Sequence, residues 1–212
     1  MTKKEIIKEL GNPQINELMD IHQYWYRIQD SIDSSSNQEE QESFLFDELS
    51  NLQLKGIIGF HNRTTQLINE LNTTEILSAS IIINYYNSED VFENFRTWII
   101  SLGKEVFTLA KEDSDHLVKY VSTNRLIHEF EEFQFVPYHA FEKVTGKNLY
   151  DFTSVRVEEI KSTLKFHWQL DSANEIAEVC PKLFRLFDQT NIVKKEDEIK
   201  LYGKIRAKFK LE

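Results

Sequence analysis

The sequence predicts a mainly α fold, a single multi-helix globular domain that leaves room for one short β-hairpin. Three observations carry this. Only 6 Gly and 3 Pro occur in 212 residues, too few for the many turns that an all-β chain needs. Apolar residues recur at three- and four-residue steps, the repeat of one helix face. Hydrophobic residues make up 41% and aromatics 12%, ample for a core at a length where folding hides roughly 70% of the unfolded chain's surface.

Taken in order, Ile15, Leu18, Trp25, Ile28 and Ile32 mark one face of a first helix, and Ser34, Ser35, Ser36 and Asn37 end it. Gln38 to Leu49 reads as a second. Ser50 is placed to cap a third, carrying Leu54, Ile57, Ile58, Leu67, Ile68 and Leu71. Gly56 and Gly59 weaken it by about 1 kcal/mol each relative to Ala. Asn72 and Glu75 resemble a capping box for a helix to about Tyr86. Its run Ile81, Ile82, Ile83 is apolar all round and predicts a central position.

From Ser88 to Phe107 the pattern is that of one helix. Phe92, Phe95, Ile99, Leu102 and Val106 form its stripe, Trp98 and Phe107 widen it, and Ser88 or Asp90 caps it. A short helix follows near Asp115 to Tyr120. Pro137 fits a first helical position and Gly146 a stop, giving a helix from Pro137 to Thr145. Between Tyr150 and Leu170, the alternation of Val155, Val157, Leu164, Phe166 and Trp168 suits a two-stranded element. Ser172 and Glu175 form a capping box before Ile176, Val179, Leu183, Phe184 and Phe187, a helix that Pro181 should kink or divide. A helical domain thus spans residues 1–190. The tail, 191–212, is rich in lysine, and Ile199, Leu201, Ile205 and Phe209 would dock it as a helix.

The net charge of -10 disfavours general binding to nucleic acid or anionic membranes. It keeps a cytosolic protein soluble and suits a basic protein partner. Cys180 is the single cysteine, so no intramolecular disulfide forms and a reducing compartment fits. Its neighbours Ile176, Val179 and Leu183 make it a small core residue rather than a reactive thiol. The opening MTKKEIIKEL lacks the apolar stretch of a secretory signal, and no run approaches the ~20 apolar residues of a membrane span. These features predict a cytoplasmic protein.

No catalytic motif, cofactor loop or metal-ligand spacing is found, the six histidines included. Three groups remain as candidates. Glu129, Glu131 and Glu132 lie among Phe130 and Phe133 as either a solvated helix face or a docking strip. Arg96 lies on or beside the apolar stripe, where a guanidinium needs a carboxylate or carbonyl partner. It is either an internal ion-pair member or an anion contact, with Asp90 and Trp98 beside it. Gly103 suggests close approach of another backbone.

The stretch Asp90-x-Phe92-x-x-Phe95-Arg96-x-Trp98-Ile99-Ile100-Ser101-x-Gly103-Lys104-x-Val106-Phe107, followed by Asp113-x-Asp115-x-Leu117, resembles the bacterial family called domain of unknown function 4240. Tyr24-Trp25-x-x-Ile28, the segment from Asp47 to Phe60, and Tyr138-x-x-Phe141-Glu142-x-x-Thr145-Gly146 resemble other parts of it more loosely. The resemblance runs from Ile15 to Phe187 and is dense in the central helix. Ile99 stands for a usual Leu and Phe107 for a usual Tyr, so any role of that tyrosine hydroxyl is absent. What it implies is a mainly helical fold and a bacterial setting, with no reaction.

Two functions stay open. The first is a non-enzymatic domain of the immunity or antitoxin kind that covers a basic partner. The second is a small-ligand-binding protein or enzyme with a pocket near Arg96 and Trp98.

Overall fold

The computed structural model describes residues 1–84, 88–158 and 177–187. Its regular structure is helical, and no strand occurs among the described residues. Helix α1 spans Lys3–Leu10, α2 Ile21–Asp33, α3 Gln38–Ser50, α4 Leu54–Glu70, α5 Thr74–Asn84, α6 Glu89–Ser101 and α7 Lys104–Glu112. A 3-10 turn at Ser114–Lys119 leads toward α8, Glu131–Thr145; a second, Leu149–Asp151, follows it, and Pro181–Leu186 forms α9.

Helix α8 packs on α3, α4 and α6, and that junction is the centre of one globular domain. Phe60, Phe92, Phe95, Phe133 and Phe141 are fully buried there, each contributing about 2–3 kcal/mol by leaving water. Tyr24 stacks on Phe60 with ring centroids 4.7 Å apart and donates or accepts at Thr64 Oγ1 at 2.9 Å.

Several element boundaries differ from the sequence reading, each for a local reason. Helix α1 was not anticipated. Thr2 and Glu5 make a capping box, Ile6 and Leu10 share the buried face, and Gly11 closes the helix at φ 72°. The first predicted helix starts at Ile21, not near Ile15, because Asp20 caps it through the amides of His22 and Gln23. Upstream, the backbone finds partners elsewhere: Ile15 N–H donates to Phe152 O at 2.8 Å and Met19 N–H to Gly59 O at 2.9 Å. Gly59 permits that approach, since a Cβ there would lie 3.2 Å from the Met19 nitrogen.

Ser50 ends α3 instead of capping α4, and Thr73, not Asn72, offers its side chain to the start of α5. Tyr85 and Tyr86 lie outside the described residues. The long helix from Ser88 to Phe107 is two helices. Ser88 caps the first through Val91 N–H, and Gly103, at φ 99°, breaks the chain before the second. A side chain rarely adopts that conformation, and a Cβ would meet Ile32 Cδ1 at 3.2 Å. Pro137 lies inside α8, not at its start. Glu131 and Glu132 occupy the first turn, where acids favour the positive helix end. Gly146 closes it at φ 66°.

Pro181 divides its helix, standing at the first position of α9. The Asp115 carboxylate, 2% exposed, caps that start by accepting from Lys182 N–H at 3.0 Å and Leu183 N–H at 2.8 Å. Of the suggested hairpin, 152–158 is irregular and pairs with no strand among the described residues, and its second arm falls outside them, as does the tail 191–212. No described helix is long and apolar enough to cross a membrane.

Candidate functional site

A cavity of about 340 Å³ opens where α4, α6, α8 and the 150–157 segment meet. This is within the range of small-molecule sites, roughly 300–1,000 Å³. Helix α4 forms its floor with His61, Thr64, Thr65 and Ile68, which recur on one helix face. Glu93 enters from α6 and Gln134 from α8. Tyr150 and Arg156 complete the rim with Val155 and Val157.

The rim is fastened by asparagines. Asn69 Nδ2 donates to Arg156 O at 3.1 Å, and its Oδ1 accepts from Glu158 N–H at 2.8 Å. Asn62, fully buried, donates to Ile15 O and Glu17 O at 3.0 Å each and accepts from Thr153 Oγ1 at 2.7 Å. Asn16 Oδ1 takes Ser154 N–H at 3.1 Å. This irregular strip thus has side-chain amides as partners for some of its peptide groups.

His61 is 6% exposed and its Nε2 is buried without a hydrogen-bond partner. Burial pulls the imidazole down to about 4, the positive charge of Arg156 adds to this, and a backbone hydrogen bond at Val155 opposes it. A bond that favours the protonated ring is one in which a carbonyl accepts from it. Either ring nitrogen can carry the proton of the neutral imidazole, and Nε2 is without a partner in both cases. Its ring stands edge-on to Tyr150 at 5.3 Å.

Burial raises the Glu93 carboxyl above its ordinary range, against the pull of Arg96 and a Gln134 hydrogen bond. Burial also raises Tyr150, while Arg156 pulls it down and Glu93 pushes it up. The Arg156 guanidinium lies over the Tyr150 ring at 4.7 Å from its centroid. Its Nη1 donates to Thr153 O and Val155 O at 2.8 Å each, and Nη2 to Tyr150 O at 3.2 Å.

The residues singled out in the sequence do not gather at one place. Arg96 is 1% exposed, with Nε donating to Phe92 O at 3.3 Å and Nη1 to Ile68 O at 3.1 Å. Its guanidinium lies 4.5 Å from the Phe92 ring centroid. Its partners are carbonyls and an aromatic face, in place of an ion pair, and burial lowers its pKa to about 10. It lies behind the cavity wall, joined to it through Ile68. Trp98 is about 200° around the helix from Arg96 and packs edge-on against His128 at 5.1 Å. It is 2% exposed and does not line the cavity. Asp90 is exposed in the first turn of α6. Glu129 and Glu131 are half-buried and Glu132 is exposed. Among the described residues no group of three metal-binding side chains occurs. Cys180 is buried against Ser114 Oγ at 3.2 Å, and burial pushes its thiol up to about 11.

His61, Glu93, Tyr150 and Arg156 were not anticipated as a site. One signal was available: His61, Thr64, Thr65 and Ile68 put polar groups on the buried face of a helix. Their meeting with Tyr150 and Arg156, some ninety residues away, depends on tertiary packing alone.

A family model described as Protein of unknown function (DUF4240) matches residues 19–143, more than half of the chain. The match covers the floor and both helical walls of the cavity and ends before Tyr150. Comparison with curated proteins and with solved structures gives no match.

Proposed function

The chain belongs to the family described as Protein of unknown function (DUF4240), and from that premise we propose that it is a small-ligand-binding protein whose site is the α4–α6–α8 cavity. One observation carries this reading: a cavity of about 340 Å³ into which several polar side chains converge, with His61 Nε2 buried and unpartnered. Leaving a buried polar atom unsatisfied costs about 1–3 kcal/mol, and a hydrogen-bonding group of a ligand would recover it. Screening a fragment library against the ¹⁵N-labelled chain tests the reading. Shifts should cluster on α4, Glu93, Gln134 and the 150–157 rim, and Thr65→Trp, which fills the floor, should abolish them. Hits that cluster elsewhere, or that persist in the filled variant, would overturn it.

A basic protein partner ranks second. It rests on the net charge of -10 and on the Glu129–Glu132 stretch, of which Glu132 is the exposed acid. Such binding would weaken with salt, whereas burial in the cavity would not.

A further inference from the structure

The charges around the cavity narrow the ligand's class. Glu93 and Arg156 line the same cavity, Arg156 as an exposed residue, and among the described residues neither makes an ion pair. Tyr150 lines it with them and feels both charges. A guanidinium has five N–H donors. Arg156 commits two from Nη1 and one from Nη2 to carbonyls, which leaves Nε–H and one N–H of Nη2. The Glu93 carboxylate is an acceptor, and His61 Nε2 is one in the tautomer protonated at Nδ1. Ile68, Phe135 and Val157 supply apolar lining.

A simple cation would satisfy Glu93 and His61 but leave Arg156 unmatched, and a simple anion the reverse. A small molecule that carries both an ammonium and a carboxylate group complements both residues. Resting on the small-ligand reading above, we infer that the ligand is a small zwitterion of the α-amino-acid class with an apolar side chain. Its ammonium group is held by Glu93 and His61 Nε2, and its carboxylate by the two remaining donors of Arg156.

The test is titration of the full ¹⁵N-labelled chain with L-valine, L-leucine and L-phenylalanine, and in parallel with isoamylamine and 4-methylpentanoate, which keep one charge each. At least one amino acid should shift the cavity residues and bind about tenfold tighter than either single-charge analogue, the effect of one charge-assisted hydrogen bond. Glu93→Gln should weaken the amino acid and the amine while sparing the carboxylic acid. Arg156→Gln should weaken the amino acid and the carboxylic acid while sparing the amine. Equal binding of a single-charge analogue, or failure of all three amino acids, overturns the inference. If fragments still reach the cavity in that case, the small-ligand reading survives it; if neither fragments nor amino acids do, both fall.

Discussion

At the residue scale, two buried polar side chains hold opposite positions. Arg96 has partners, whereas Nε2 of His61 lacks one. Arg96→Ala removes two hydrogen bonds from a charged donor and the contact with the Phe92 face, and it leaves a void and an Ile68 carbonyl that keeps only the Leu71 N–H. The expected loss is about 3 kcal/mol in urea unfolding, and a loss well under 1 kcal/mol would contradict this account. His61 acts through pH. Its folded value near 4 lies below its ordinary 6.5, so the unfolded chain takes the proton more readily. Stability is therefore full above pH 6.5 and falls as the pH drops from 6.5 through 4, by up to about 3 kcal/mol. His61→Phe should remove this part of the acid limb of the stability curve. An acid limb of the same depth in that variant would assign the loss to other groups.

At the element scale, glycine decides where helices break and where chains touch. Gly103→Ala must hold an alanine at φ 99° against Ile32, at an expected cost of about 1–3 kcal/mol. A melting temperature equal to the parent's would show that α6 and α7 can rejoin as one helix. Gly59→Ala tests something different, because its φ is ordinary and its Cβ would press on the backbone at Met19. The same two residues show what could be read from sequence. The start of α6 was legible because its cap, Ser88, and its apolar stripe agree, and α3 was read as Gln38 to Leu49, one residue short of its end. The end of α8 was legible from Gly146. Its start was not: Phe130 makes no side-chain cap, and Pro137 mimics an N-terminal signal from inside the helix. Helix α1 carried a readable box in Thr2 and Glu5. Gly103 was noticed as a close approach, but nothing local distinguishes a packing glycine from one with positive φ. For the site, the burial of Arg96 followed from its place on the stripe. The carbonyls that replace its expected ion pair come from Phe92 and from another helix, which periodicity cannot supply.

At the scale of the whole molecule, the cavity exists because segments distant in sequence are tied to α4. The 12–20 stretch and the 152–158 strip lie along that helix, and Asn62 joins both to it through three hydrogen bonds. Asn62 is inside α4 and fully buried, so no water is at hand to replace its amide. Asn62→Ala would leave the carbonyls of Ile15 and Glu17 and the Thr153 hydroxyl to find other partners. Each unsatisfied group costs about 1–3 kcal/mol, and relaxation recovers part of this, so a total loss of about 3 kcal/mol is expected. Asn69 ties the same strip from its outer side by two bonds in more exposed surroundings. Its removal should therefore cost well under 1.5 kcal/mol while loosening the rim at Arg156. Hydrogen exchange separates the two. Asn62→Ala should speed exchange at both Ile15 and the strip, whereas Asn69→Ala should speed it at Glu158 and leave Ile15 and Met19 as protected as before. If Asn69→Ala also exposes Met19, whose amide bonds to Gly59 O, then the two segments are fastened as one unit, and the cavity rim opens only when the N-terminal stretch lifts with it.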